Sequence, residues 1–208
     1  MKKYNILVAG VGGQGVITVG RLLKRAGLRK GYIVVGTETR GASQREGPVD
    51  SAVRYVILED DEKFDPRRCT LSPIIPMGDA DMVMCLESNE ALRVSEYISS
   101  KSYVLINDYQ ILPTRARSFG LKMPPTDTIA NLLKKITPNV RVVNASAVSE
   151  REFGDLTKVN MIMLGVALAL GVMPLSFEDI EVTLREMGFS EDNIRAIRIG
   201  MKLMEGEV

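Results

Sequence analysis

A glycine-rich turn near the amino terminus constrains the fold more than any other feature of this 208-residue chain. The apolar run Tyr4–Ala9 precedes the turn and is typical of a buried parallel strand. The segment Val16–Leu28 follows it and carries apolar residues at helical spacing. A strand, a tight turn and a helix in this order indicate the start of an α/β domain.

The turn has the sequence GVGGQG and matches the pattern G-x-G-x-x-G. In that pattern the first glycine permits a tight turn, the second lets the backbone approach a phosphate, and the third lets the helix pack closely. The N–H groups of the first helical turn, helped by the helix dipole, would then face an anion. The candidates for binding a phosphate-bearing group are Gly10, Val11, Gly12, Gly13, Gln14 and Gly15. Purely structural glycines and NAD(P) binding remain as alternatives.

Recognition of an NAD ribose requires an acidic residue about 20 positions further on, at the end of the second strand. That strand is predicted at Tyr32–Val35, and Glu38 is the nearest carboxylate, slightly beyond the expected place. The motif therefore favours a phosphate-bearing ligand over NAD itself.

The stretch from Thr37 to Asp50 is polar, contains glycines and shows no apolar period, so it is predicted to be a loop. Its candidate binding residues are Glu38, Ser43, Gln44 and Arg45. Arg45 would be able to hold a carboxylate or phosphate with two hydrogen bonds. We expect the loop and the glycine turn to share the carboxyl edge of the sheet and to contact a ligand or another subunit. A solvated surface loop is the alternative.

The remaining pattern alternates strands with helices. Further strands are predicted at residues 51–58, 81–86, 102–106 and 140–143, and helices at 89–98, 126–136, 158–172, 176–187 and 190–204. The strand at 51–58 follows the loop too closely for a crossover helix, which favours an antiparallel or edge position. The whole predicts one Rossmann-like α/β domain spanning residues 1–208, with a mostly parallel sheet, helices on both faces and a helical C-terminal part from about residue 158.

Composition excludes several classes of function. The 27 basic and 26 acidic residues give no support for nucleic-acid binding. With two cysteines and no histidine, the chain lacks the ligands of a metal site or an iron–sulfur cluster, and it lacks the commonest general base. The apolar run 159–175 is interrupted by polar and helix-breaking residues and predicts a buried helix instead of a membrane span. We expect a cytoplasmic protein without a signal peptide.

Two segments together resemble a known family. The runs GVGGQGV and ETRGASQREGPVDSAVRY, together with Asn160 and Gly165 in a later apolar helix, are similar to the gamma-type subunits of 2-oxoacid:ferredoxin oxidoreductases. The similarity covers nearly the whole chain and is greatest with the beta subunits of the indolepyruvate branch. Glu46 departs from the family pattern, in which a small residue is usual at that place.

The resemblance implies a subunit of an enzyme that oxidatively decarboxylates a 2-oxoacid, here an aryl pyruvate, to an acyl-CoA while it reduces ferredoxin. It implies that thiamine diphosphate and iron–sulfur clusters reside on a large partner subunit, that this chain carries no catalytic residue and is inactive alone, and that it contacts coenzyme A or the partner. Homodimer contacts are compatible with it. The alternatives are an NAD(P)-dependent dehydrogenase and an independent nucleotide-binding module.

Overall fold

The computed structural model describes residues 1–41, 47–59, 62–65, 67, 71–112, 119–120 and 122–205. The strands in these residues are β1 (Lys2–Val11), β2 (Ile33–Arg40), β3 (Pro48–Ile57), β4 (Ala80–Cys85), β5 (Ile98–Asn107) and β6 (Val140–Val143). They form one sheet in the order β2-β3-β1-β4-β5-β6. Strands β1, β4, β5 and β6 pair in parallel, whereas β3 runs antiparallel to both β1 and β2.

Helices cover both faces of the sheet. They are α1 (Val16–Arg29), α2 (Glu90–Arg93), α3 (Thr126–Leu133), α4 (Ala145–Phe153), α5 (Val159–Ala169), α6 (Phe177–Glu186) and α7 (Glu191–Glu205), with a short 3₁₀ turn at Ser95–Tyr97. Helices α1 and α4 to α7 pack on one face, and α2 and α3 pack on the other, so the sheet separates two apolar clusters. The predicted α/β fold class, with a mostly parallel sheet and helices on both faces, is confirmed.

Strand β3 occupies an interior position in the sheet. The predicted antiparallel direction is confirmed, but the edge belongs to β2. Burial explains this arrangement, because Val53 and Tyr55 are 0% exposed on one face and Ala52 is 6% exposed on the other. A strand that is buried on both faces is stabilised between two neighbours.

The loop within the polar stretch is shorter than predicted. Strand β2 continues through Gly36 to Arg40, and β3 already begins at Pro48, so the loop assignment is wrong for residues 37–40 and 48–50. Polar side chains are tolerated here because β2 is a half-exposed edge strand. Gly36 permits the pairing, since a Cβ at this position would overlap the carbonyl oxygen of Ala52.

Two helical segments differ from the sequence prediction. The helix predicted at 89–98 is only the single turn α2 and a 3₁₀ turn, because Ile98 already begins β5. Helix α4 was not predicted at all. The side chain of Asn144 accepts a hydrogen bond from the backbone N–H of Ala147 at its start, and Gly154, with a φ of +80°, ends it.

Helices α5 and α7 cross at very short range. A Cβ on Gly165 would overlap the backbone of Ile197, and a Cβ on Gly200 would overlap the carbonyl oxygen of Ile162. Glycine at both positions therefore lets the two backbones approach each other. Among the described residues, no helix is both long and apolar enough to cross a membrane.

Candidate functional site

The glycine turn connects the end of β1 to the start of α1. Gly13 and Gly15 have φ values of +98° and +80°, which side chains rarely adopt. The first intrahelical hydrogen bond runs from the N–H of Val19 to the carbonyl of Gly15 over 3.1 Å. The N–H groups of Val16 to Thr18 lie ahead of that bond, as at any helix N-terminus. Binding of an anion by these groups stays a prediction.

Each glycine of the motif has a specific neighbour. The N–H of Gly12 donates to the carbonyl of Gly47 over 2.9 Å, so this donor is used within the chain. A Cβ on Gly10 would lie 2.7 Å from Oε1 of Gln14. A Cβ on Gly15 would overlap the side-chain amide of Asn160 on α5. The third glycine thus accommodates a neighbouring helix, whereas the motif predicts close packing on the strand.

Gln14 is held by two backbone groups at the point where β1 and β4 diverge. Its Oε1 accepts a hydrogen bond from the N–H of Val11 over 2.9 Å, and its Nε2 donates to the carbonyl of Leu86 over 3.2 Å. Gln14 therefore occupies the crevice between β1 and β4 at their carboxyl ends. Dinucleotides bind in such a crevice in open α/β sheets, so the structure disfavours the NAD alternative.

The predicted loop residues Ser43, Gln44 and Arg45 lie outside the described residues, and their assignment stays a prediction. Both ends of this loop are described. The N–H of Gly41 donates to the carbonyl of Pro48 over 2.8 Å, and Gly47 accepts the bond from Gly12. The loop therefore starts and ends beside the glycine turn, at the shared edge expected from the sequence, although β3 separates β2 from β1.

Glu38 lies on β2 among basic side chains. Its carboxylate is 3.2 Å from Nζ of Lys24, 3.7 Å from Nε of Arg21 and 3.9 Å from Nη2 of Arg40. Three cations surround one carboxylate, so these four side chains together carry a net positive charge. Because the Glu38 carboxylate is already paired, it is poorly placed to accept hydrogen bonds from a ribose.

A cavity of about 610 Å³ opens beside the turn. This volume lies within the range of roughly 300–1,000 Å³ that is usual for small-molecule sites. The cavity is lined by Val11, Gly12, Gly13, Gly15, Val16, Ile17, Arg40, Gly41 and Val49. It combines the start of α1 with a cation and an apolar wall, and this combination suits a ligand with both a phosphate and an apolar part.

Arg40 was not among the residues predicted for the site. Its side chain is 64% exposed, and the residue lines the cavity. The available signal was its position directly before Gly41, where the chain leaves the sheet edge next to the turn. In the sequence it was one of several charged residues of the polar stretch, and no local pattern distinguished it.

Arg93 ties α2 to the strand that follows the loop. Its Nη1 donates to Asp50 on β3 over 2.9 Å, and its Nε donates to Glu90 over 2.6 Å. Burial alone would lower the pKa of Arg93, but these two carboxylates outweigh it and hold the pKa above its usual value. This contact was not predicted from the sequence, because Asp50 and Arg93 are far apart in the chain.

The chain is similar along its length to proteins of one known family. The model of the family described as pyruvate ferredoxin/flavodoxin oxidoreductase matches residues 5–203. The indolepyruvate oxidoreductase subunit IorB of Archaeoglobus fulgidus is 35% identical over 95% of this chain and 94% of the relative. IorB of Methanothermobacter thermautotrophicus is 32% identical over 95% of each chain. The 2-oxoglutarate synthase subunit KorC of A. fulgidus is 28% identical over 97% of this chain and 88% of the relative.

Solved structures share the fold. Pyruvate oxidoreductase subunit PORC from Thermotoga maritima has a TM-score of 0.66 at 21% identity and is covered over 97% of both chains. A 2-oxoglutarate:ferredoxin oxidoreductase from Magnetococcus marinus, solved with 2-oxoglutarate, coenzyme A and succinyl-CoA bound, has a TM-score of 0.68 at 20% identity. That match covers 99% of this chain and 32% of the other, so the fold also occurs as part of a longer polypeptide.

Proposed function

Because this chain belongs to the pyruvate ferredoxin/flavodoxin oxidoreductase family, its function is that of an oxidoreductase subunit, and we propose that its enzyme oxidises an aryl pyruvate. The family assignment agrees with the resemblance predicted from the two sequence motifs. The substrate class rests on the IorB relatives, each covered along almost its whole length. The less similar KorC relative makes 2-oxoglutarate the substrate to test against it.

The reaction of such an enzyme converts a 2-oxoacid and coenzyme A to an acyl-CoA and carbon dioxide, with transfer of two electrons to ferredoxin. The donor set of this chain does not fit an iron–sulfur cluster, which usually takes four thiolates. The chain has two cysteines, and Cys85 is 0% exposed. We therefore assign the clusters and thiamine diphosphate to a large partner subunit, through which ferredoxin is reduced.

Coenzyme A is the ligand whose chemistry fits the cavity beside the glycine turn. Its phosphates are anionic, and the cavity combines the start of α1 with the exposed cation Arg40. Coenzyme A supplies the thiol that accepts the acyl group. The single observation that carries this proposal is the presence of Arg40 and the turn residues Gly12, Gly13 and Gly15 in the lining of one cavity.

The other predicted residues of the site support this binding surface in different ways. Gly10 and Gln14 shape the turn, and Glu38 holds Arg40 and its neighbouring cations together. Ser43 and Gln44 are proposed, together with Arg45, to complete the surface from the loop.

We propose further that residues 1–208 constitute one gamma-type domain. Helices α4 to α7 pack against α1 and the same face of the sheet, and their apolar side chains belong to one continuous cluster. A separate C-terminal domain would be expected to have an apolar core of its own.

Co-expression tests the assignment. The chain would be produced together with a thiamine-binding large subunit encoded by the same source, and the purified complex would be assayed for ferredoxin reduction with coenzyme A and either indolepyruvate or 2-oxoglutarate. We expect a stable complex that turns over indolepyruvate with the higher kcat/KM, and no activity from either subunit alone. Recovery of this chain as a lone monomer in the presence of the large subunit would refute the proposal.

A further inference from the structure

The side-chain amide of Gln14 takes the place of a backbone peptide group between two strands. The parallel ladder between β1 and β4 ends with the N–H of Leu86 donating to Ala9 over 2.8 Å. The next donor on β1 is the N–H of Val11, and the next acceptor on β4 is the carbonyl of Leu86. Gln14 lies between them, accepting from Val11 and donating to Leu86. The ladder is therefore extended by one side-chain amide at the point where the two strands separate.

A second amide meets the same carbonyl group. Nδ2 of Asn107, at the end of β5, donates to the carbonyl of Leu86 over 3.0 Å. Asn107 also exchanges hydrogen bonds with Ser146 at the start of α4, over 2.9 Å to Oγ and 3.2 Å from the backbone N–H. Asn107 is 0% exposed and Ser146 is 5% exposed. Buried polar groups of this kind are costly to separate, so the network fixes the carboxyl ends of β1, β4 and β5.

The position of this network has a consequence for ligand binding. Helix α1 follows β1 on one face of the sheet and α2 follows β4 on the other, so the crossovers diverge between β1 and β4. Ligands of open α/β sheets bind at such a point. Here the Gln14 amide occupies it, and the cavity of about 610 Å³ lies instead beside Arg40 and Val49, toward β2 and β3.

We infer that Gln14 is a positioning residue that directs the glycine turn away from the β1–β4 crevice and toward the cavity beside Arg40. This inference rests on the proposed binding of coenzyme A there. The turn is held in its binding conformation before the ligand arrives, which lowers the entropic cost of binding.

The test uses the complex with the large subunit and the substitution Gln14→Met, which keeps the length of the side chain but removes both hydrogen bonds. We expect the KM for coenzyme A to rise about tenfold, as for loss of a preorganising hydrogen-bonded group. The KM for the 2-oxoacid and the kcat should change less than about twofold. Gln110→Met is the matched control, because Gln110 also donates to a backbone carbonyl, that of Pro124, but in an exposed position.

Hydrogen exchange of this subunit provides a measurement that does not depend on activity. We expect Gln14→Met to accelerate exchange at residues 10–16 while the amides of β5 and α5 retain their protection. If Gln14→Met impairs folding, the variant Gln14→Glu replaces it in this measurement. It keeps the acceptor for Val11 but turns a carboxylate oxygen toward the Leu86 carbonyl. Because two acceptors then repel each other, we expect faster exchange at residues 10–16 for this variant as well.

The possible results distinguish the proposed function from the inference about Gln14. An inactive wild-type complex would refute the proposed function, and the hydrogen-exchange comparison would still test whether Gln14 positions the turn. An active complex in which Gln14→Met leaves the KM for coenzyme A unchanged would overturn the inference. Equal changes in both KM values, together with faster exchange throughout the sheet, would also overturn it, because Gln14 would then serve only the stability of the fold.

Discussion

Gly15 and Asn160 are in such close contact that a Cβ on Gly15 would overlap the Asn160 side-chain amide. Nδ2 of Asn160 lies 3.5 Å from the carbonyl oxygen of Gly15, and its Oδ1 accepts a hydrogen bond from the N–H of Met161 over 2.9 Å. Asn160 is 6% exposed. Helix α5 therefore supports the glycine turn at Gly15, and the turn and the helical part of the chain depend on each other.

The substitution Gly15→Ala should destabilise the protein by about 2 kcal/mol or more, because it adds an overlap with Asn160 to the cost of a left-handed conformation. The measurement is urea unfolding followed by circular dichroism. Gly154→Ala is the matched control, since Gly154 has the same φ of +80° and a Cβ added there would have no atom within 4 Å among the described residues. For this control we expect the free energy of unfolding to fall by about 1 kcal/mol, because only the backbone conformation is unfavourable.

A double substitution identifies why Gly15→Ala should cost more stability than Gly154→Ala. Asn160→Ala removes the atoms that the new Cβ would meet, so Gly15→Ala should cost less in this background than in the wild type. Strict additivity of the two free-energy changes would contradict the contact between Gly15 and Asn160 as the source of the destabilisation.

Arg40 and Arg21 allow a test of the proposed anion site. Both side chains are 64% exposed and both approach the Glu38 carboxylate, but only Arg40 lines the cavity beside the turn. In the assembled enzyme, Arg40→Ala should raise the KM for coenzyme A about tenfold at low salt, because a charge-assisted hydrogen bond to phosphate is lost. Arg21→Ala should raise it less than about twofold.

Ionic strength adds a second criterion for Arg40. Salt screens exposed charges, so the difference in KM between wild type and Arg40→Ala should shrink as the salt concentration rises toward about 0.5 M. Equal effects of Arg40→Ala and Arg21→Ala at every salt concentration would indicate a diffuse surface charge and would refute a specific site at Arg40.

The sequence predicted elements whose signals are local. Strand β6 has the predicted bounds Val140–Val143, and α6, predicted at 176–187, begins with a capping box of Ser176 and Asp179. Helix α4 was missed because Ser146 and Ser149, which are buried through polar contacts, interrupt its apolar period. Its local signals, Asn144 before it and Gly154 after it, are weaker than an apolar stripe.

The sequence also predicted the part of the candidate site whose residues follow one another in the chain. This part is the glycine turn, which the glycine motif identified. Arg40, Asn160 and Leu86 reach the turn only through pairing and packing of distant segments. The contacts of these three residues with the turn depend on the order of the strands, and sequence periodicity does not specify that order.

Gly165→Ala tests the close crossing of α5 and α7. The added Cβ would overlap the backbone of Ile197, and a backbone cannot rotate away as the Asn160 side chain can. We therefore expect a larger loss of stability than for Gly15→Ala, about 3 kcal/mol or more, measured by urea unfolding. A change below about 1 kcal/mol would show that the helices separate easily, against the close packing of the two backbones.

Asp179 should make stability depend on pH in the acidic range. Burial raises the pKa of Asp179, but hydrogen bonds from Lys30 and from the N–H and side chain of Ser176 outweigh it and hold the pKa below its usual value. A carboxyl group with a lowered pKa in the folded state stabilises the protein above its unfolded pKa of about 3.9, and this contribution is lost as the pH falls through the folded pKa. Asp179→Asn should therefore lower the free energy of unfolding at pH 7 by about 0.5 kcal/mol, a modest value because the ion pair with Lys30 is partly exposed.

Measurements of stability over a range of pH distinguish a specific effect of the Asp179 carboxylate from a general effect of charge. Urea unfolding between pH 7 and pH 3 should show the difference between wild type and Asp179→Asn to be constant above about pH 5 and to decrease as the pH falls below about 4. Asp192→Asn is the matched control, because it also removes a negative charge from the first turn of a helix, α7, outside the capping box of α6. For this control we expect a smaller decrease in the free energy of unfolding, of about a few tenths of a kcal/mol, because only the interaction with the helix dipole is lost. A loss for Asp179→Asn that persists unchanged at pH 3 would show that the charge of Asp179 does not stabilise the start of α6.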